Sequence, residues 1–184
     1  LALDTQPIKA VLAAPTLSNP LGSVMPLAAK QRLVRLLTQR GVPLIEDDVY
    51  SELYEGKVAP LPAKAYDRRG LVLHCSSFSK CLAPGYRVGW AAPGRLTRQV
   101  ERLKLMTSLS GSIPVQAALA EYLQEGGYDR HLRNLRSSLQ AQRNSLFDAV
   151  SRLFPDGTRV VRPAGGYFVW VELPVGVDAM ALHR

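Results

Sequence analysis

Short, nearly unbroken apolar runs, each closed by polar or turn-forming residues, organise the first half of the chain. "KAVLAA" at residues 9–14 is closed by "PTLSNPLG", and "VPLIEDD", "LVLHCSS" and "RVGWAAP" repeat the pattern further on. Runs that are continuous rather than alternating suit strands covered on both faces, as in parallel α/β sheets. Between the first two runs, Pro26 suits the first turn of a helix. Leu27, Leu33, Val34, Leu36 and Leu37 then recur near helical spacing until Gly41 stops them. After Gly94 the pattern predicts helices over roughly 95–109, 114–125 and 128–153, with Gly126-Gly127 as the break between the last two. "TRVVRPAGGYFVWVELP" predicts two strands around Gly165-Gly166, and "DAMALHR" the first turns of a helix begun after Gly176. The expected class is α/β: a mostly parallel, helix-flanked sheet over residues 1–126, then the start of a small α+β lobe over residues 127–184.

Composition narrows the class without choosing a function. At 184 residues the chain fits one domain plus a smaller lobe, and its 47% hydrophobic and 21% charged content is that of a soluble protein. No apolar run approaches the roughly 20 residues that cross a bilayer. "LALDTQPIKA" lacks a basic segment followed by a long apolar one, so a cytoplasmic location without membrane attachment is the default expectation. The missing initial methionine and the end within a helix suggest a piece of a longer polypeptide. Cys75 and Cys81 have no second pair to build a zinc site, and free thiols are expected. The net charge of +8 fits a nucleic-acid partner, an anionic ligand, or a basic surface offset elsewhere.

Chemistry-bearing residues gather where the apolar runs end. The first leads to Asn19, the second to Asp47 and Asp48, and the third to Ser76, Ser77 and Lys80, with Arg87 shortly after. Ligands of open α/β sheets bind beyond the carboxyl ends of the strands. An amine, a carboxylate, an amide, hydroxyls and a guanidinium at one edge would suit a phosphorylated aldehyde. An unprotonated lysine is the nucleophile for the carbonyl, and a planar guanidinium fork grips a phosphate dianion. Each residue also has an ordinary reading: a solvated lysine, an acidic turn or helix N-cap, a turn-forming asparagine, a core tyrosine at position 50, a surface-paired arginine.

The set "SNPLG", "EDDVYSELY", "SSFSKCLAPGYRVGW" and "RPAGGYFVWVELP" resembles the aminotransferase-like domain of fold-type I pyridoxal-phosphate proteins. Its wording, with "GGYDRHLRNLR", is most similar to the MocR subgroup of GntR-type regulators, in which this domain follows a winged helix-turn-helix. The resemblance runs over essentially the whole chain. It implies Lys80 as the Schiff-base lysine and Asp47, three residues before Tyr50, as the partner of the cofactor's pyridine nitrogen. Asn19 and Tyr50 would bond the phenolic oxygen, and Arg87, Ser77 and Ser79 the phosphate. Asp48 is left as a solvated or capping acid, and Ser76 and Cys75 as packing residues. Gly165-Gly166-Tyr167 reads either as a turn that closes over a ligand or as a plain hairpin turn. Arg130, Arg133, Arg136 and Arg143 read as the solvated face of an amphipathic helix.

The implied cofactor is pyridoxal 5'-phosphate. The implied function is the effector domain of a MocR/GntR-type regulator that senses an amine or amino acid by aldimine chemistry. The alternative is a class I/II aminotransferase that passes an amino group to a 2-oxo acid. Homodimerisation is implied in both readings, and DNA contact only through a domain outside these residues. The rest of the cofactor domain would precede Leu1 and the carboxylate-gripping arginine would follow Arg184, so this stretch alone is expected to bind the cofactor poorly and not to transaminate.

Overall fold

The structure, a computed structural model, describes residues 2–182. A short helix α1 (Ala2–Thr5) leads to strand β1 (Val11–Ala13), then helix α2 (Leu27–Arg40), β2 (Leu44–Asp47), β3 (Val72–Ser77) and β4 (Gly89–Ala92). Helices α3 (Thr97–Ser108), α4 (Ile113–Gln124) and α5 (Gly127–Leu153) follow, then β5 (Arg159–Val161), β6 (Trp170–Glu172) and α6 (Ala179–Leu182). Two sheets form, one in the order β1-β2-β3-β4 and one pairing β5 with β6.

The first three apolar runs become parallel strands, as their continuity predicts, with Leu12 opposite Ile45 and Ile45 opposite Leu73. The fourth does not. β4 lies antiparallel to β3, with Ser77 opposite Gly89. The connection explains this, because a parallel return needs a crossover of a dozen or more residues, and residues 78–88 instead double back as a tight loop.

Helix α2 buries Val34 and Leu37 against Leu44, Val72, Val42 and Ala63. It ends where Gly41 adopts a left-handed φ of 66° and returns its N–H to the carbonyls of Leu37 and Thr38. A second core gathers the loops at the carboxyl edge of the sheet. Leu17 from the loop after β1, Leu53 after β2 and Cys81 after β3 pack with Leu132 and Leu139 of α5. The long helix therefore sits beneath the strand-end loops and holds them to one another.

Strands β5 and β6 are antiparallel, with Val161 opposite Trp170, but the plain hairpin reading of Gly165-Gly166 does not hold. Residues 162–169 reach across to the loop after β2. Glu55 N–H donates to the Ala164 carbonyl at 2.9 Å and Gly166 N–H to the Leu53 carbonyl at 3.2 Å. Gly165 has φ of 145°, and a Cβ there would stand 2.1 Å from the Leu53 carbonyl oxygen. Only glycine permits this contact.

Candidate functional site

Parallel β1, β2 and β3 place their carboxyl ends at one edge, and antiparallel β4 brings its amino end to the same edge. Strand alternation then sorts the side chains. Glu46, Asp48, His74 and Ser76 share one face of β2 and β3, and their polar atoms are largely consumed within the protein. Glu46 accepts from the N–H groups of Ala63 at 2.6 Å and Lys64 at 3.0 Å. Asp48 is buried with Oδ2 2.9 Å from His74 Nε2, and its carbonyl accepts from Ser76 Oγ at 3.0 Å. The expectation of Asp48 as a solvated or capping acid is thus corrected. Two adjacent carboxylates at a strand end must point to opposite faces, and the second points inward.

Asp47, Cys75 and Ser77 lie on the other face, with Asp47 opposite Cys75 in the ladder. Asp47 is exposed, and its carboxylate makes no hydrogen bond or ion pair among the described residues. Burial, followed by the nearby charges of Asp47 and Glu46, pushes the Cys75 thiol above its usual range. Both cysteines are free thiols, as expected.

Beyond Ser77 the chain turns out and back. Phe78 N–H donates to the Val88 carbonyl at 3.1 Å, and the Phe78 carbonyl accepts from Leu82 and Ala83 at 2.9 and 3.0 Å. Two inward anchors hold this loop to α5. Phe78 meets the Tyr128 ring edge-on at 5.8 Å, and buried Cys81 has its Sγ 3.0 Å from the Tyr128 hydroxyl and its carbonyl 2.9 Å from His131 Nε2. Lys80 is left exposed, its amine without a bonding partner among the described residues. After the turn at Pro84–Tyr86, Arg87 adopts a left-handed φ of 53°. Its guanidinium donates to the Pro84 carbonyl at 3.3 Å and to Ser79 Oγ at 3.5 Å. One loop thus carries Ser79, Lys80 and Arg87, and its first strand carries Ser77.

Asn19 and Tyr50 arrive on the neighbouring loops. Asn19 is exposed in a turn closed by Ser18 N–H donating to the Ser23 carbonyl at 3.0 Å, one residue beyond the next after buried Leu17. Tyr50 is half-buried in the second core, and its ring meets Phe168 edge-on at 5.3 Å. The structure gathers all seven expected residues on loops and strand ends of one edge. Only Ser79 and Arg87 bond each other.

Two participants lie outside the expected set. Tyr167 donates its hydroxyl to the main-chain carbonyl of Lys80 at 2.6 Å. Arg143 is buried, donates to the Gly166 carbonyl at 2.6 Å and forms an ion pair with Glu55. It does not belong to a solvated face. The signal was present in the helical spacing, because Leu139, Arg143, Phe147 and Val150 form one inward stripe of α5. Arg136 is also engaged, donating to the Glu52 carbonyl at 2.6 Å.

The model of the family "Aminotransferase class I and II" matches residues 2–183. The chain is 50% identical over 179 residues to the "Uncharacterized HTH-type transcriptional regulator YdcR" of Escherichia coli (strain K12), covering 97% of this chain and 38% of that protein. It is 35% identical over 173 residues to aromatic-amino-acid aminotransferase 1 of Thermococcus litoralis, covering 93% and 41%. The crystal structure of Pyrococcus horikoshii kynurenine aminotransferase superposes with a TM-score of 0.89 at 30% identity, covering 97% of this chain and 45% of that one. The chain thus spans less than half the length of each of these relatives.

Proposed function

The chain belongs to the aminotransferase class I and II family, and on that premise we propose that it is the pyridoxal phosphate-binding effector domain of a MocR/GntR-type regulator. The observation that carries the cofactor is the set of polar tips at the sheet edge. Asn19, Asp47, Tyr50, Ser77 and Lys80 have side-chain polar groups without partners among the described residues, while Glu46, Ser76 and Tyr128 around them are bonded internally. An acid, an amine, a guanidinium and several neutral hydrogen-bonding groups match a ring nitrogen, an aldehyde, a phosphate and a phenolic oxygen. The residues present therefore fit the group.

Bound there, pyridoxal phosphate would supply an electrophilic carbonyl joined to an electron-withdrawing ring. Arg87, with the hydroxyls of Ser77 and Ser79, holds the phosphate by charge-assisted hydrogen bonds. Asp47 keeps a proton on the ring nitrogen, since an opposite charge nearby favours the protonated form. The Asn19 amide and the Tyr50 hydroxyl orient the phenolic oxygen. Lys80 contributes an amine that is nucleophilic once unprotonated and that can afterwards hold a proton taken from a ligand carbon.

The 50% identity to a regulator, against 35% to an aminotransferase, supports sensing over turnover. An amino acid or amine displacing Lys80 would then bias a conformational equilibrium and change the grip of a winged helix-turn-helix on DNA. In this reading residues 127–184 form the smaller lobe, and its helix α5 packs Leu132 and Leu139 against the strand-end loops. Homodimerisation is part of the reading, supported by the apolar side chains that α3, α4 and the link between them expose, among them Met106, Leu109 and Ile113. Among the described residues no helix is long and apolar enough to cross a membrane. The second reading, an enzyme that transfers amino groups, is supported by the 35% identity to an aminotransferase.

The test uses the full-length protein. Incubation with pyridoxal phosphate, borohydride reduction and peptide mapping should label Lys80, and Lys80→Ala should lose the label. A panel of amino acids and amines should then alter retention of a DNA fragment from the protein's own promoter without measurable transamination. Labelling elsewhere, or none, refutes the cofactor reading; sustained transamination with no effect on DNA refutes the regulator.

A further inference from the structure

We infer that Tyr167 is a positioning residue for Lys80, held in place by Arg143 and Glu55; this rests on the reading of Lys80 as the cofactor-binding amine. Lys80 lies on a loop whose neighbours are anchored on one side only. Phe78 and Cys81 bind to Tyr128 and His131 of α5, and the turn bonds from Leu82 and Ala83 to the Phe78 carbonyl span residue 80, but none of these places a restraint on the Lys80 carbonyl itself. That restraint comes from the far end of the chain, where the Tyr167 hydroxyl donates to the Lys80 carbonyl at 2.6 Å, a short O–H···O distance. Burial, then the neighbouring Cys81 and Tyr50, raises the Tyr167 hydroxyl above its usual range, which keeps it protonated as a donor must be.

A tyrosine on a free loop would fix nothing, and this loop is not free. Gly166 N–H donates to the Leu53 carbonyl, Glu55 N–H to the Ala164 carbonyl, and the glycine at 165 lets the two backbones touch. Arg143 locks the arrangement, because one guanidinium nitrogen donates to the Gly166 carbonyl and another pairs with Glu55. Arg143 belongs to the same helix as Tyr128 and His131. Helix α5 therefore holds the Lys80 loop twice, directly through Tyr128 and His131 and indirectly through the Arg143, Gly166 and Tyr167 link. A fixed Cα and carbonyl at residue 80 limit the directions in which the amine can extend, which is what orientation contributes to a bond-forming step.

The experiment separates positioning from mere packing by comparing Tyr167→Phe, which removes only the hydroxyl, with the unaltered full-length protein. Without cofactor, the amides of Leu82 and Ala83, which close the turn around Lys80, should exchange with deuterium about fivefold faster, the equilibrium weight of one neutral hydrogen bond. With pyridoxal phosphate, the rate of borohydride-trappable capture by Lys80 should fall by a similar factor. In a Lys80→Ala background, non-covalent retention of pyridoxal phosphate should be the same with and without Tyr167→Phe. Glu55→Gln should reproduce the exchange effect in weaker form, and it stands in if Tyr167→Phe does not fold. Unchanged exchange at Leu82 and Ala83 overturns the inference whatever the cofactor does. Equal losses of capture and of non-covalent retention, with a lowered unfolding temperature, overturn it as well by showing a structural role only. Absence of capture in the unaltered protein refutes the cofactor reading instead, and the exchange comparison still decides the placement of the loop.

Discussion

Replacing Gly165 by alanine puts a methyl carbon 2.1 Å from the Leu53 carbonyl oxygen, 3.0 Å from its carbon and 3.1 Å from the Tyr54 Cα. All three are backbone atoms, so no side chain can swing aside. The loop must lift away from the segment after β2. Lifting breaks the Gly166-to-Leu53 and Glu55-to-Ala164 hydrogen bonds and the charged bond from Arg143 to the Gly166 carbonyl. At about 1 kcal/mol for each neutral bond and about 1.5–3 for the charged one, the cost is roughly 3–5 kcal/mol. Gly176 provides the control, because its φ of 94° is also positive but nothing stands within 4 Å of its Cβ position. Alanine there should cost only the backbone term of about 1–2 kcal/mol. Urea denaturation of the full-length protein, followed by tryptophan fluorescence, measures both variants. A Gly165→Ala cost no larger than that of Gly176→Ala would refute the argument that the loop is seated by steric contact at residue 165.

Three further outcomes are expected. Burial alone would raise the Asp67 carboxyl, but the N–H groups of Val72, Leu71 and Arg69 and the Lys64 ammonium outweigh it and hold it below its usual value. A depressed folded-state value means that this stabilisation is complete above the unfolded value near pH 4 and is lost as pH falls through the folded one. Asp67→Asn should therefore cost about 2 kcal/mol at pH 7 and flatten the acid limb of a pH series of thermal unfolding; an unchanged limb would exclude the carboxylate as its source. Cys81 is 2% exposed and its thiol is raised by burial, so alkylation by iodoacetamide at pH 8 should keep pace with global unfolding, and rapid labelling of the native protein would contradict its burial. Leu53→Ala, at a fully buried position in the core beneath the edge loops, should cost about 2–5 kcal/mol by chemical denaturation; a cost under about 1 kcal/mol would mean that this core does not hold the loops together.

The parallel strands and the helices were legible because their signals are local. An apolar run closed by turn residues marked β1, β2 and β3, and Gly41 and Gly126 marked helix limits to within a residue or two. The reversal of β4 was not legible, since a short apolar run carries no sign of its direction. That direction follows from the length of the preceding loop. The burial of Asp48 is not legible, because two adjacent acids look alike in one dimension, whereas alternation along a strand sends one outward and the other to His74. The burial of Arg143 is readable from its helical spacing with Leu139, Phe147 and Val150, but its partners, Glu55 and Gly166, are not, because they lie far away in the chain. Tyr167 stands out in the sequence only as part of the Gly165-Gly166-Tyr167 turn, since the carbonyl it bonds is 87 residues earlier. The seven candidate residues were readable as a motif set; the contacts that seat them depend on distant pairings no local pattern encodes.

The backward course of β4 has one more implication. Leaving and re-entering the sheet border within residues 78–88, the polypeptide carries its amine and its guanidinium on a single short detour. Their separation along the chain is thus dictated by one local cassette, whose seat is set by Tyr128, His131 and Tyr167. A one-residue insertion between Lys80 and Arg87 should therefore be far less tolerable than a longer one beyond residue 172.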